Sequence, residues 1–257
     1  MTNIETTKTK TNHYYFRALV VLVVVATMAM ALLVGSGAAV AGDQAVGDIA
    51  PKAFSESVSA QGARIATKTF SNSSLIQFPA DIRSASGRAF PYPSEIEVSG
   101  FRRGSRITNV TVNLNGLSHQ IPDDIDMMLV GPKGQNTIIM SDVGGSFAVQ
   151  NIMISLADAF ENADGGLPDN ASLAGPNGFG NYAPGNVGSG DPFPAPAPAP
   201  SVADKLSVFN GRNPNGTWKL FALDDEAAIR EAGTPPDIGE LAGGWSLEIM
   251  AKRRHRH

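Results

Sequence analysis

Ile107-Thr108-Asn109-Val110-Thr111-Val112-Asn113-Leu114-Asn115-Gly116-Leu117 alternates, with Val110, Val112 and Leu114 on one side of the chain and Thr111, Asn113 and Asn115 on the other. Strict period two marks a β-strand with one buried and one wet face. Just downstream, Ile125, Met127 and Leu129 alternate with Asp124, Asp126, Met128 and Val130, and the run stops at the turn Gly131-Pro132-Lys133-Gly134. Residues 137–140 and 152–160 supply two more strand candidates. Upstream lie Thr69-Phe70, Leu75-Ile76-Gln77-Phe78 and Glu95-Ile96-Glu97-Val98, with Pro91-Tyr92-Pro93 as punctuation. Toward the end come Leu206-Ser207-Val208-Phe209, Trp218-Lys219-Leu220-Phe221-Ala222-Leu223 and Trp245-Ser246-Leu247-Glu248-Ile249. Short strands separated by Gly, Pro, Asn and Asp clusters, without an amphipathic helix, predict an all-β sandwich or barrel. Its expected core includes Val110, Val112, Ile125, Met127, Leu129, Trp218, Leu220, Trp245 and Leu247, with the two tryptophans as anchors.

The segments around this pattern differ in kind. Lys8, Lys10 and Arg17 precede an uncharged apolar run over residues 18–34, and Ala39-Val40-Ala41 has the small-residue form of a signal-peptidase site. Residues 1–41 therefore read as a signal peptide or as an uncleaved anchor, since roughly 20 apolar residues cross a bilayer. Either reading puts the rest of the chain outside the cytoplasm, because the basic flank stays inside. The protein is expected to be secreted, or membrane-anchored and facing outward through this segment alone. Residues 42–66 read as a flexible spacer. Residues 161–205 form a long Pro/Gly-rich loop whose Pro194-Ala195-Pro196-Ala197-Pro198-Ala199-Pro200 favours an extended, stiff strap. Residues 252–257 are a basic tail.

Charge and residue counts exclude several functions. Between residues 42 and 251 there are 23 Asp/Glu against 13 Lys/Arg, which argues against nucleic acid or an anionic membrane as partner of the body. Cysteine is absent, so there is no disulfide, thiolate metal site or thiol nucleophile. The body has one histidine, His119, and the Gly188-Ser189-Gly190 run lacks the strand-turn-helix setting of a serine nucleophile. Neither a catalytic triad nor a zinc site is expected. What remains is carboxylate. Asp123, Asp124 and Asp126 cluster at the start of one strand, and Asp224 and Asp225 at the end of another. Clustered oxygens suit calcium, and alternation sets Asp124 and Asp126 on one strand face; the plain alternative is solvated loop acids. The sequons at Asn72, Asn109, Asn170 and Asn215 matter only in a glycosylating host.

Three segments resemble the P/homo B domain of proprotein convertases. The first is Ile107-Thr108-Asn109-Val110-Thr111-Val112, leading to Ser118-His119. The second is Asp124-Ile125-Asp126-Met127-Met128-Leu129-Val130-Gly131-Pro132-Lys133-Gly134, similar to the family's D-L-x-I-x-L-x-S-P-x-G hairpin but with Gly131 where many members carry serine. The third is Asn215-Gly216-Thr217-Trp218-Lys219-Leu220 with Asp224, closed by Gly239-Glu240-Leu241 and Gly244-Trp245-Ser246-Leu247. The resemblance runs over residues 67–250 and is nearer to bacterial extracellular forms that occur without an attached protease. It implies a galactose-binding-like jelly-roll β-sandwich over residues 67–251. In convertases this domain stabilises the catalytic domain and influences its calcium and pH dependence; here residues 42–66 are too few to hold a subtilase. The resemblance thus implies a non-catalytic module that binds a protein or surface polymer. The alternative is support, in trans, of a secreted subtilisin-type serine endopeptidase.

Overall fold

The computed structural model describes residues 54–58, 64–79, 86–160, 166–188, 191–201, 205–225 and 238–253. The expected leader or anchor at 1–41, most of the spacer and tail residues 254–257 lie outside the described residues. Among the described residues no helix is long and apolar enough to cross a membrane.

In chain order the strands are β1 (Phe54–Val58), β2 (Arg64–Asn72), β3 (Ile76–Phe78), β4 (Gly87–Arg88) and β5 (Ser94–Val98). They continue as β6 (Arg106–His119), β7 (Ile125–Val130), β8 (Asn136–Ser141), β9 (Val149–Leu156) and β10 (Phe179–Tyr182). The last four are β11 (Gly185–Asn186), β12 (Gly216–Asp224), β13 (Gly239–Leu241) and β14 (Trp245–Arg253). One sheet runs β1-β2-β14-β6-β13-β3, with β9 on the other edge of β6 and β10 beside β9. The second runs β11-β8-β7-β12-β4, with β5 also on β12. Pairing is antiparallel except at β9–β10 and β8–β11. The chain passes between sheets at β3–β4, β5–β6, β6–β7, β8–β9, β10–β11 and β12–β13, the winding expected of an all-β jelly-roll sandwich.

β6 is the seam of the first sheet. Ile107, Val110, Val112, Leu114 and Leu117 are buried, while Thr111, Asn113 and Asn115 are only half-buried. The alternation slips twice, between Ile107 and Val110 and between Leu114 and Leu117. Each slip falls at a register shift, opposite Met250/Ala251 and between Asn115 and Leu117. These are β-bulges, which re-aim the strand without breaking it. Gly116 takes φ +72 at the second, where a side chain would be strained. All nine expected core residues, including Ile125, Met127, Leu129, Trp218, Leu220, Trp245 and Leu247, are buried in one cluster between the sheets.

Four sequence expectations need correction. Leu206-Ser207-Val208-Phe209 is a 3-10 turn rather than a strand, because Asp158 accepts from the amides of Leu206 and Ser207, both at 2.8 Å, and satisfies its leading donors. The spacer at 42–66 contains β1, paired along its length with β2, so the sheet begins before residue 67. The loop at 161–205 contains β10 and β11, which take the open edges of β9 and β8. The tail at 252–257 begins inside β14, where Lys252 pairs with Ile65 and Arg106.

The strap covers the outer face of the second sheet. β7 is buried on both faces, with Ile125, Met127 and Leu129 in the main core. Met128 and Val130 face outward with Ile138, Phe193, Phe221 and Leu223, against Tyr92 and Ala197. Tyr92 stacks edge-on to Phe221 at 4.9 Å and donates to Pro194 O at 3.0 Å; burial pushes its hydroxyl pKa up to about 12, with Arg88 easing the shift. Asn136 fastens the far end, donating to Ala199 O at 3.2 Å and accepting from Ser201 N at 2.7 Å. Asn136→Ala removes both bonds from a buried position, at a cost of about 1–3 kcal/mol. Hydrogen exchange should show faster exchange at Ser201 and Ala197 with the β6 amides unchanged; equal protection in both proteins would mean that the strap is held without the Asn136 side chain, by its apolar contacts and the Tyr92 and Arg88 bonds.

Candidate functional site

The parity of β7 and β12 sorts the acidic residues. In β12, Trp218, Leu220 and Ala222 point into the main core, whereas Phe221 and Leu223 join the outer cluster. Asp224 therefore continues the inner row and Asp225 the outer one. In β7 the even positions Met128 and Val130 face outward, which sets Asp126 on the same face as Asp225. Register agrees, since Asp126 pairs with Leu223 and Asp224 with Ile125.

On the inner face, His119 Nε2 lies 3.5 Å from Asp224 Oδ2, and neither side chain has any exposed surface. His119 Nδ1 meets Ile121 O at 2.7 Å and the Ile121 amide at 3.2 Å. The ring lies 5.8 Å from Phe78. A Cβ at Gly239 would run into both rings, so glycine is what lets β13 pass this close. An imidazole beside a carboxylate is two-thirds of a hydrolytic triad, but such a pair needs an approachable nitrogen. Both nitrogens of His119 face protein groups in a sealed position.

On the outer face, at the end of the second sheet where β7 begins and β8 and β12 finish, carboxylate oxygens of Asp126, Asp191 and Asp225 all lie within 4.8 Å of one another. Asp126 is 1% exposed, Asp191 half-buried and Asp225 exposed. Ser141, the last residue of β8, gives its hydroxyl proton to Asp191 Oδ2 at 2.9 Å. A hydroxyl has a single proton to give, so Ser141, which lies near both acids, serves one at a time; turned to Asp191, it leaves both oxygens of buried Asp126 without a hydrogen-bond donor among the described residues. Burial pushes the Asp126 carboxyl up to about 8; Ser141 lowers it, and Asp225, Asp191 and Asp142 raise it further. An all-oxygen set of this kind suits a hard cation and no soft one.

The acids singled out in the sequence thus separate. Asp126 and Asp225 meet, and Asp224 belongs to the opposite face with His119. Asp124 closes the 3-10 turn Pro122–Asp124 ahead of β7, so strand alternation does not link it to Asp126; its carbonyl accepts from the Asp225 amide at 2.9 Å. Asp123 sits in the same turn. Asp191 was not foreseen; the one signal was an acid opening the Pro-rich run. Two sequon asparagines have structural work, Asn72 holding Glu95 O at 2.9 Å and Asn215 bridging the Phe101 amide and carbonyl. Beside the strap runs an open groove of about 470 Å³, lined in part by Gly131, Pro132, Lys133, Pro196, Pro198 and Thr217.

No family model matches the chain, and no curated protein matches it. Among solved structures it is similar to the crystal structure of a serine protease of Aeromonas sobria. The identity is 16%, over 69% of this chain and 27% of that one, at a TM-score of 0.31. The same protease in complex with its chaperone gives 15% identity over 70% of this chain and 28% of that one, at a TM-score of 0.28. The chain thus spans little more than a quarter of the proteins it is similar to.

Proposed function

We propose that this chain is an exported, non-catalytic binding and structural module of the P/homo B kind, working outside the cytoplasm on a partner protein or surface polymer. The observation that carries the reading is the setting of His119. The body has no other imidazole, and this one is enclosed between Phe78, Gly239 and Asp224 as a core prop. The three family-like segments support it as well. They become β6, the β7–β8 hairpin and β12 with β13 and β14, and their inward-facing apolar positions meet in one interior. The second reading, support of a separate secreted subtilisin-type serine endopeptidase, rests on the same segments.

The test uses the full chain, purified and assayed alone on peptide and ester substrates. It is then mixed with a secreted subtilisin-type endopeptidase of the producing organism. The expected result is no turnover by the chain itself. Co-elution with the protease, or a longer half-time for its heat inactivation, selects the accessory role; retention on surface polymer selects the stand-alone one. Hydrolysis that disappears in His119→Gln, with an unchanged circular dichroism spectrum, overturns the reading.

A further inference from the structure

We propose that Asp126, Asp191 and Asp225 bind one calcium ion that fastens the proline-rich strap to the second sheet. This inference does not depend on which partner the module serves.

Three observations carry it. The first is convergence. The oxygens lie within 4.8 Å of one another although the residues are scattered through the sequence. Ligands facing each other across a calcium ion stand about 4.6–5.2 Å apart, so one ion reaches all three. The second is the state of Asp126. Its carboxylate is 1% exposed, turned into the cluster, and, with the nearby Ser141 proton given to Asp191, receives no hydrogen bond at either oxygen among the described residues. A buried polar group in that condition costs free energy unless something else meets it, and a cation is the partner that the surrounding acids favour. The third is the sign of the surroundings. The charged groups acting on Asp126 are Asp225 at the end of β12, Asp191 on the strap and Asp142 after β8, all acidic. Ser141 completes the arrangement by holding Asp191 through its Oδ2, the outer-shell bond that fixes a ligand's orientation.

The position gives the ion a task. Asp126 starts β7, Asp225 follows β12, and Asp191 stands two residues before Phe193, which is buried on the outer face with Met128 and Phe221. An ion held by all three ties the leading end of the strap down, as Asn136 ties its far end. Calcium tolerates an irregular shell completed by water or backbone carbonyls; magnesium demands near-octahedral geometry.

The experiment is calorimetric titration of the chelator-treated full chain with calcium chloride alone and magnesium chloride alone, with hydrogen exchange in each condition. One calcium per chain is expected, with magnesium weaker. Asp191→Asn, at a half-buried position, and Asp225→Asn, at an exposed one, should each weaken binding about tenfold or more. Asp169→Asn, an exposed acid outside the cluster, should leave it unchanged. Calcium should slow exchange at Phe193 and Ala197 in the wild type and not in Asp191→Asn. Absence of calcium binding at millimolar concentration, tighter binding of magnesium, or equal affinity in Asp191→Asn and wild type each overturns the proposal.

Discussion

Trp218→Ala should lower the stability of the sandwich by about 4 kcal/mol, within the range for deleting a buried tryptophan. Trp218 has no exposed surface and sits in β12, between β7 and β5, with Ile96 as its cross-strand neighbour. Its ring packs 4.8 Å from Phe209, and its Nε1 donates to Pro214 O at 3.0 Å. The substitution removes the packing and the donor together, and the cavity lies beneath the 3-10 turn that carries Phe209. In a domain of about 200 residues each kcal/mol shifts Tm by about 2–4 °C, so a fall of about 8–15 °C is expected by circular dichroism. Trp218→Phe keeps much of the volume and loses the hydrogen bond, and should cost about half as much. Amides of Leu206 and Ser207 should also lose protection in the alanine variant, because the turn they open rests on Phe209. A loss under about 1 kcal/mol would mean that the two sheets do not close on this ring.

What could be read from the sequence was whatever is local. Period two over Val110, Val112 and Leu114 reports the two faces of a strand directly, and it held for β14 and for β6 between its two bulges, whereas the second half of β12 is buried on both faces. The same rule misplaced Leu206-Ser207-Val208-Phe209, whose alternation is real but whose amides are satisfied by Asp158, 48 residues away. It could not foresee that both faces of β7 are buried, because the second face is covered by a strap some 65 residues downstream. Residue composition marked that strap as stiff, and Tyr92, Arg88 and Asn136 show what it is stiff against. For the acids, local clustering suggested a set that parity then divided. Asp224 and Asp225 are neighbours in sequence and lie on opposite faces of one sheet. Asp191 joins Asp126 only through the fold, and no local pattern contains that pairing.

Asp126 leads to a pH dependence of unusual sign. In chelator, the protein should be more stable at pH 5 than at pH 8. Burial first, and then Asp225, Asp191 and Asp142, hold the folded carboxyl up at about 8, against an ordinary 3.8. Between those values the unfolded chain has released the proton and the folded chain keeps it, so folding takes a proton up. A raised folded pKa gives stability that is full below the unfolded value and is lost as pH climbs through the folded one. Each unit corresponds to about 1.4 kcal/mol, and a net loss of about 3–5 kcal/mol across the window is expected from this group. Asp126→Asn, uncharged at every pH, should flatten that part of the curve and make the variant more stable than wild type at pH 8 in chelator. Calcium should reverse the order, because the ion binds the ionised carboxylate and displaces its proton, an advantage the asparagine cannot gain. Denaturation midpoints at pH 5 and pH 8, with chelator and with calcium, separate the two effects. An asparagine variant with the wild-type slope would place the proton elsewhere and leave Asp126 as an ordinary ionised acid.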